Sequence, residues 1–182
     1  STERLAALPA VSSPESGADA NVSEPSDIEV EANEMFHMVY TKQLSVGDAT
    51  QRLKGYKSSS TQRDQDVFRC IVHNLMDEVR LFHKYPEAEL VLTGRLFGSM
   101  VQHHLVASIP LGIALRYVLE SLRKDPDVGT SNSKMFTFGR VALEQFRARI
   151  MEWPQYCSHL VQIPHLARHC PPLFADAQRT IG

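Results

Sequence analysis

Asp64–Tyr85 reads DQDVFRCIVHNLMDEVRLFHKY, and the fold class turns on it. Val67, Ile71, Leu75, Val79 and Phe82 recur every three or four residues, the period of one helix face. Phe68, Val72 and Met76 widen that stripe beyond the roughly 100° a one-sided surface helix needs, so other helices are expected to pack around it. Thr61-x-x-Asp64 marks the start, because the threonine hydroxyl can accept an orphan backbone N–H. Pro86 marks the end, because it pushes Tyr85 out of helical geometry.

Working outward, the flanking sequence repeats the pattern. Upstream, Ala32, Phe36 and Val39 share a face of a helix near Glu29–Thr41. Ser45-x-x-Asp48 caps a second helix carrying Val46, Ala49, Leu53 and Tyr56, which Gly55 and Ser58–Ser60 bring to an end. Downstream, Pro86 suits the first turn of a fourth helix reaching about His104. Its Leu90, Phe97, Val101 and Leu105 form one face, Leu92, Leu96 and Met100 lie off it, and Arg95, Ser99 and Gln102 fill the polar strip left over. Such surplus apolar surface fits an inner helix of a stacked array, or a wall of a groove for a partner. Pro110 opens a fifth helix, Leu111–Lys124, carrying Ile113, Leu115, Val118, Leu119 and Leu122, with Arg116 and Tyr117 among them as a buried or semi-buried hydrogen-bonding pair. After the loop Asp125–Asn132, a sixth helix from Ser133 to about Met151 buries Met135, Phe138, Ala142, Phe146 and Ile150. Pro154, Pro164 and Pro171-Pro172 cut the remainder into short helices. No alternating run appears, so the expectation is an all-α fold, a HEAT-type α-solenoid of about seven to nine helices in antiparallel hairpins. Residues 28–182 form a single helical-repeat domain in this reading, behind a disordered Ser-, Ala- and Pro-rich leader over residues 1–27.

Composition narrows the function. A net charge of −2 with 22% charged residues argues against direct nucleic-acid binding by bulk electrostatics. Three cysteines without framework spacing predict a reduced cytoplasmic or nuclear setting. The best apolar run, Leu105–Leu115, is broken by Ser108 and Pro110 and is too short to span a membrane. There is no nucleophile elbow, phosphate-cradling loop or dinucleotide fingerprint, and Gly98-Ser99 has helix on both sides. Cys157, His159, His165, His169 and Cys170 cluster in sequence, but Cys157-x-His159 cannot face one point from a helix and Pro164 interrupts the segment. No catalytic residue, cofactor or metal is expected.

Six stretches go further: EANEMFHMVY (Glu31–Tyr40), VFRCIVHNLMDEVRLFHKYPEAEL (Val67–Leu90), LTGRLFG (Leu92–Gly98), LGIALRYVLESLRK (Leu111–Lys124), SKMFTFGRVALEQF (Ser133–Phe146) and WPQYCSHL (Trp153–Leu160). In this order they resemble the central domain of the largest scaffold subunit of the CCR–NOT mRNA deadenylase complex, called the tristetraprolin-binding domain in animals. The resemblance implies a helical domain similar to the middle domain of translation initiation factor four G, without enzymatic activity. It implies other deadenylase subunits as partners through the full-length scaffold. It also implies docking of short linear motifs from tristetraprolin-like RNA-binding proteins, which brings the deadenylase to chosen mRNAs for poly(A) shortening, decay and translational repression. Carried over position by position, the groove involves Leu53, Tyr56, Phe97, Met100 and Val101, with Gln102 and Ser108 at its rim. Tyr56 has core as its competing reading. Ser108 departs from the aromatic of animal members, and the loop Asp125–Asn132 is longer than theirs. The alternative is an RNA- or helicase-binding module like that of the initiation factor. Three or four anchors at about 1.5–3 kcal/mol each, set against an ordering cost of about 2–5 kcal/mol and lost translational freedom, predict micromolar affinity.

Overall fold

Capping chemistry sets where the first helices begin. In the computed structural model, which describes residues 26–182, Ser26 Oγ accepts the Glu29 N–H at 3.2 Å and opens α1 (Asp27–Tyr40). The leader expected over residues 1–27 therefore lies outside the described residues except at its end, where Asp27 is already helical. Ser45 Oγ accepts the Asp48 N–H at 3.0 Å at the head of α2 (Val46–Ser58). Thr61 Oγ1 accepts the Asp64 N–H at 3.2 Å at the head of α3 (Gln62–Glu78). Both caps read from the sequence are formed. α1 closes in a Schellman motif, Gln43 N–H to Met38 O and Lys42 N–H to Val39 O, with Lys42 at φ 64°.

The described residues divide into two compact units, one ending at Leu81 and one beginning at Phe82. In the first, α1 and α2 pack on α3, and Ala32, Met35, Phe36, Val39, Ala49, Leu53, Val67, Ile71 and Leu75 are buried. Phe68, Val72 and Met76 remain half-buried rather than joining them. The α-helical part of Asp64–Tyr85 stops at Glu78, and Val79–Lys84 is a 3-10 helix. The i→i+3 bonds tighten the chain just before Pro86.

The second unit holds α4 (Glu87–Gln102), α5 (Ser108–Leu122), α6 (Thr130–Phe146), a 3-10 turn (Arg147–Glu152), α7 (Pro154–Val161), α8 (Leu166–His169) and α9 (Pro171–Ile181). α4 and α5 both pack on α6, and α9 packs on α7. Pro86 is the N-cap of α4, and Pro110 sits in the first turn of α5, where its missing N–H costs nothing. Phe82, Tyr85, Phe97 and Phe138 form a tilted aromatic cluster, with ring centroids 4.9–5.1 Å apart where they pair. Backbones approach closely at glycines: a Cβ added to Gly98 would lie 2.1 Å from the Ala142 carbonyl oxygen of α6. The fold is all-α. Among the described residues there is no strand, and no helix is long and apolar enough to cross a membrane.

Candidate functional site

Of the residues expected in a groove, Leu53 and Tyr56 belong to α2 in the first unit. Leu53 is fully buried and acts as core. Tyr56 is half-buried, and its hydroxyl donates to Glu31 Oε2. The other oxygen, Glu31 Oε1, accepts from Arg63 at 2.6 Å. The Tyr56 hydrogen bond, and after it the Arg63 guanidinium, holds the Glu31 carboxyl below the usual carboxylate range. Burial, reinforced by the neighbouring carboxylate, pushes the Tyr56 phenol up to about 12. Tyr56 is thus a fixed, neutral donor whose ring is held at one inclination. Partners 25 and 32 positions away leave no spacing signal, and sequence reasoning missed both.

Phe97, Met100, Val101 and Gln102 lie in the last turns of α4, and Ser108 is the first residue of α5, across the corner where the chain turns. Phe97, Met100 and Val101 are at most 1% exposed, so they build the wall rather than present a surface. Gln102 is half-buried, and its Oε1 has no hydrogen-bond partner. Ser108 is exposed and starts α5 at φ 54°. The corner is pinned from behind. Val101 O accepts from the buried Arg149 guanidinium, which also donates to Glu152 Oε2 at 3.0 Å and Oε1 at 2.9 Å. The same guanidinium lies 4.9 Å from the centre of the Trp153 ring. His104, at φ 58°, completes a Schellman closure of α4 through Leu105 N–H to Met100 O.

The accessible apolar surface at this corner comes from two residues that sequence reasoning did not assign to the groove. Ile109 is 77% and Ile113 41% exposed, one turn apart on α5. Ile113 does not lie with the buried residues of the helix: Ala114, Val118 and Leu122 face inward, and Ile109, Ile113, Arg116 and Glu120 share the outer face. Arg116 is accordingly exposed rather than half of a semi-buried pair. The signal was present, since two isoleucines fall on a face otherwise marked by Gly112, Arg116 and Glu120.

The His/Cys residues near the C-terminal end are dispersed into separate roles. The buried His165 ring bonds Leu122 O at 2.7 Å and satisfies the end of α5. His169 bonds Asp127 at 3.2 Å. The Cys157 thiol donates to Ile150 O at 3.3 Å, and burial pushes it up. Among the described residues, Asp125, Asp127 and His169 bring possible ligand atoms together, but Asp127 is already bonded by His169 and by Arg168 at 2.6 Å. Arg63, Arg69, Arg80, Arg123, Arg147, Arg149, Arg168 and Arg179 all stand in ion pairs with carboxylates. Each of these eight arginines is therefore within reach of a carboxylate.

Known proteins match this chain in sequence and in fold. The family model described as the CCR4-NOT transcription complex subunit 1 TTP binding domain covers residues 5–181. The chain belongs to that family. It is 38% identical over 156 residues to the general negative regulator of transcription subunit 1 of Schizosaccharomyces pombe, covering 86% of this chain. It is 33% identical over 184 residues to the CCR4-NOT transcription complex subunit let-711 of Caenorhabditis elegans, covering 94%. In both comparisons the chain spans 7% of the relative's length. The solved N-terminal domain of the yeast Not1 superposes on 90% of this chain, and on 30% of its own, with a TM-score of 0.79 and 31% identity. The all-helical fold is thus a fold of this family of complex subunits.

Proposed function

We propose that this chain is a non-catalytic docking domain of the CCR4-NOT scaffold. It receives short motifs of tristetraprolin-like RNA-binding proteins and so recruits the deadenylase to selected mRNAs in the cytoplasm, for poly(A) shortening and translational repression. The observation that carries this reading is the family match over residues 5–181. The geometry of the α4–α5 corner supports it. Ile109 and Ile113 offer exposed apolar area one turn apart on α5. Two isoleucines so placed suit the apolar face of a peptide helix. Phe97, Met100 and Val101 hold the wall from inside. Ser108 leaves the rim open where animal members are expected to carry an aromatic, which favours a partner with a bulkier anchor.

Fluorescence anisotropy with a labelled C-terminal tristetraprolin-type peptide tests the reading. Micromolar saturable binding is expected, weakened about tenfold or more by Ile109→Asp or Ile113→Asp, since one lost apolar anchor is worth about 1.5–3 kcal/mol. These positions are exposed, so the variants keep the fold. Met100→Ala is a poorer probe, because emptying a site 1% exposed costs about 2–5 kcal/mol of stability by itself. Absence of saturable binding to the folded chain would refute the docking function.

A further inference from the structure

The outer face of α5 presents a cation that the rest of the chain leaves unanswered. Ile109, Ile113 and Arg116 follow one another at spacings of four and three residues, so they share one stripe of the helix. Ile109 is 77% and Ile113 41% exposed, and Arg116 is exposed next to them. Among the described residues Arg116 has no ion pair and no hydrogen bond, unlike the eight arginines that meet carboxylates. Glu120, one turn further along the face, is engaged by Arg123. Gly112 lies between the isoleucines, and a Cβ added there would meet nothing within 4 Å. The stripe is therefore apolar at one end, cationic at the other, and open above its backbone in the middle.

We propose that the helix docked on this face carries a carboxylate that bonds Arg116, one turn ahead of two apolar anchors that cover Ile113 and Ile109. The proposal rests on the motif-docking reading above and adds the charge and the direction of the motif. Charge complementarity selects the occupant. A carboxylate gains two parallel N–H bonds from the guanidinium fork, which no acid of this chain occupies. A basic residue there meets a like charge, and a neutral one covers the guanidinium without replacing its bonds to water. The Arg116 stem extends the apolar area laid down by the isoleucines. Direction follows from the helix dipole. An acidic residue is favoured in the first turn of a helix, so the partner begins over Arg116 and runs antiparallel to α5. Its sequence then reads acid, apolar three residues later and apolar four residues after that, the α5 spacing in reverse. Gly112 adds no side chain between the two helices, which lets their axes come close.

The test is fluorescence anisotropy with a labelled peptide, Ser-Pro-Glu-Ala-Ala-Leu-Gln-Ala-Ala-Leu-Gln-Ala, titrated with the chain. A basic peptide carries Arg in place of Glu, and a reversed one, Ser-Pro-Gln-Leu-Ala-Ala-Gln-Leu-Ala-Ala-Glu-Ala, puts the acid last. Saturable binding of the acidic peptide is expected, about three- to tenfold tighter than that of either control. On Arg116→Glu the order of the acidic and basic peptides should reverse, an outcome that misfolding cannot produce. Ile109→Asp should abolish binding of all three, with circular dichroism certifying the fold. Added salt should narrow the gap between the acidic and basic peptides on the parent chain, as it screens the ion pair. Equal affinity of either control, or an unchanged order on Arg116→Glu, would overturn the proposal. A tristetraprolin-type peptide titrated alongside keeps the two levels apart. If it binds and the acidic peptide does not, the proposal falls and the docking function stands; if neither binds, both fall. Sedimentation of the chain alone checks the remaining occupant. A dimer that Ile109→Asp dissociates would give this face to a second copy and overturn the proposal.

Discussion

Gly98→Ala is the substitution whose outcome the packing dictates most directly. The added Cβ would sit 2.1 Å from Ala142 O, 2.7 Å from Gln145 Cβ and 2.8 Å from the Ala142 carbonyl carbon, whereas ordinary contact begins at 3.4 Å. Two of the three obstacles are α6 backbone, which cannot rotate aside, so α4 and α6 must separate by more than an ångström. Overpacking of this kind costs about 1–3 kcal/mol and sometimes more. Alanine returns about 1 kcal/mol in helix propensity over glycine. With a clash this deep, the net loss should reach about 2 kcal/mol, a fall in melting temperature of about 4–8 °C for a chain of this size. Gly112→Ala is the matched control. It also lies inside a helix but meets nothing within 4 Å, so only the propensity gain of about 1 kcal/mol remains and stability should rise. Urea denaturation followed by circular dichroism and by fluorescence of Trp153, the one tryptophan, measures both. The reasoning is refuted if Gly98→Ala is as stable as the parent, or if the two alanines shift stability in the same direction.

Lys42→Gly should stabilise the chain by about 0.5–1 kcal/mol, because a lysine at φ 64° carries a left-handed penalty that glycine avoids at a smaller entropic cost; an unchanged or lower urea midpoint would contradict this. Tyr56→Phe should alter the acid limb of stability. The folded Glu31 carboxyl sits below its ordinary 4.5, chiefly through Tyr56, so its contribution is present above about pH 4.5 and is lost as pH falls through the depressed folded value. The difference between parent and Tyr56→Phe should shrink over that window, and a difference that stays constant down to about pH 3 would be evidence against the linkage. At the other end, the folded Tyr56 phenol titrates at about 12 instead of 10.0, so that contribution is intact below about pH 10 and disappears as pH rises through 12.

Much of the architecture was legible because helix-making interactions are local. Ser45 and Thr61 reach N–H groups three residues on, and prolines act on their own turn, so caps and stops could be placed within a few residues. The period of Val67, Ile71 and Leu75 named a core stripe that is fully buried. The candidate site was named through resemblance. Phe97, Met100, Val101 and Gln102 lie in the last turns of α4 and Ser108 begins α5, but the exposed Ile109 and Ile113 were not anticipated. An apolar residue on a helix states only that it can be buried.

The sequence by itself determined an all-α chain, the starts of the first three helices, the inward stripe of α3 and the family. Tertiary structure alone decided that Tyr56 meets Glu31 and Arg63, that Arg149 holds Val101 O across 48 positions, that α4 meets α6 at Gly98, and that two arginines converge on Asp176. The division has a physical cause. Capping and periodicity act within one or two turns of a residue, where sequence distance and spatial distance are the same. Which helix covers which face, and which side chains then meet, depends on how whole elements pack, where that correspondence is lost.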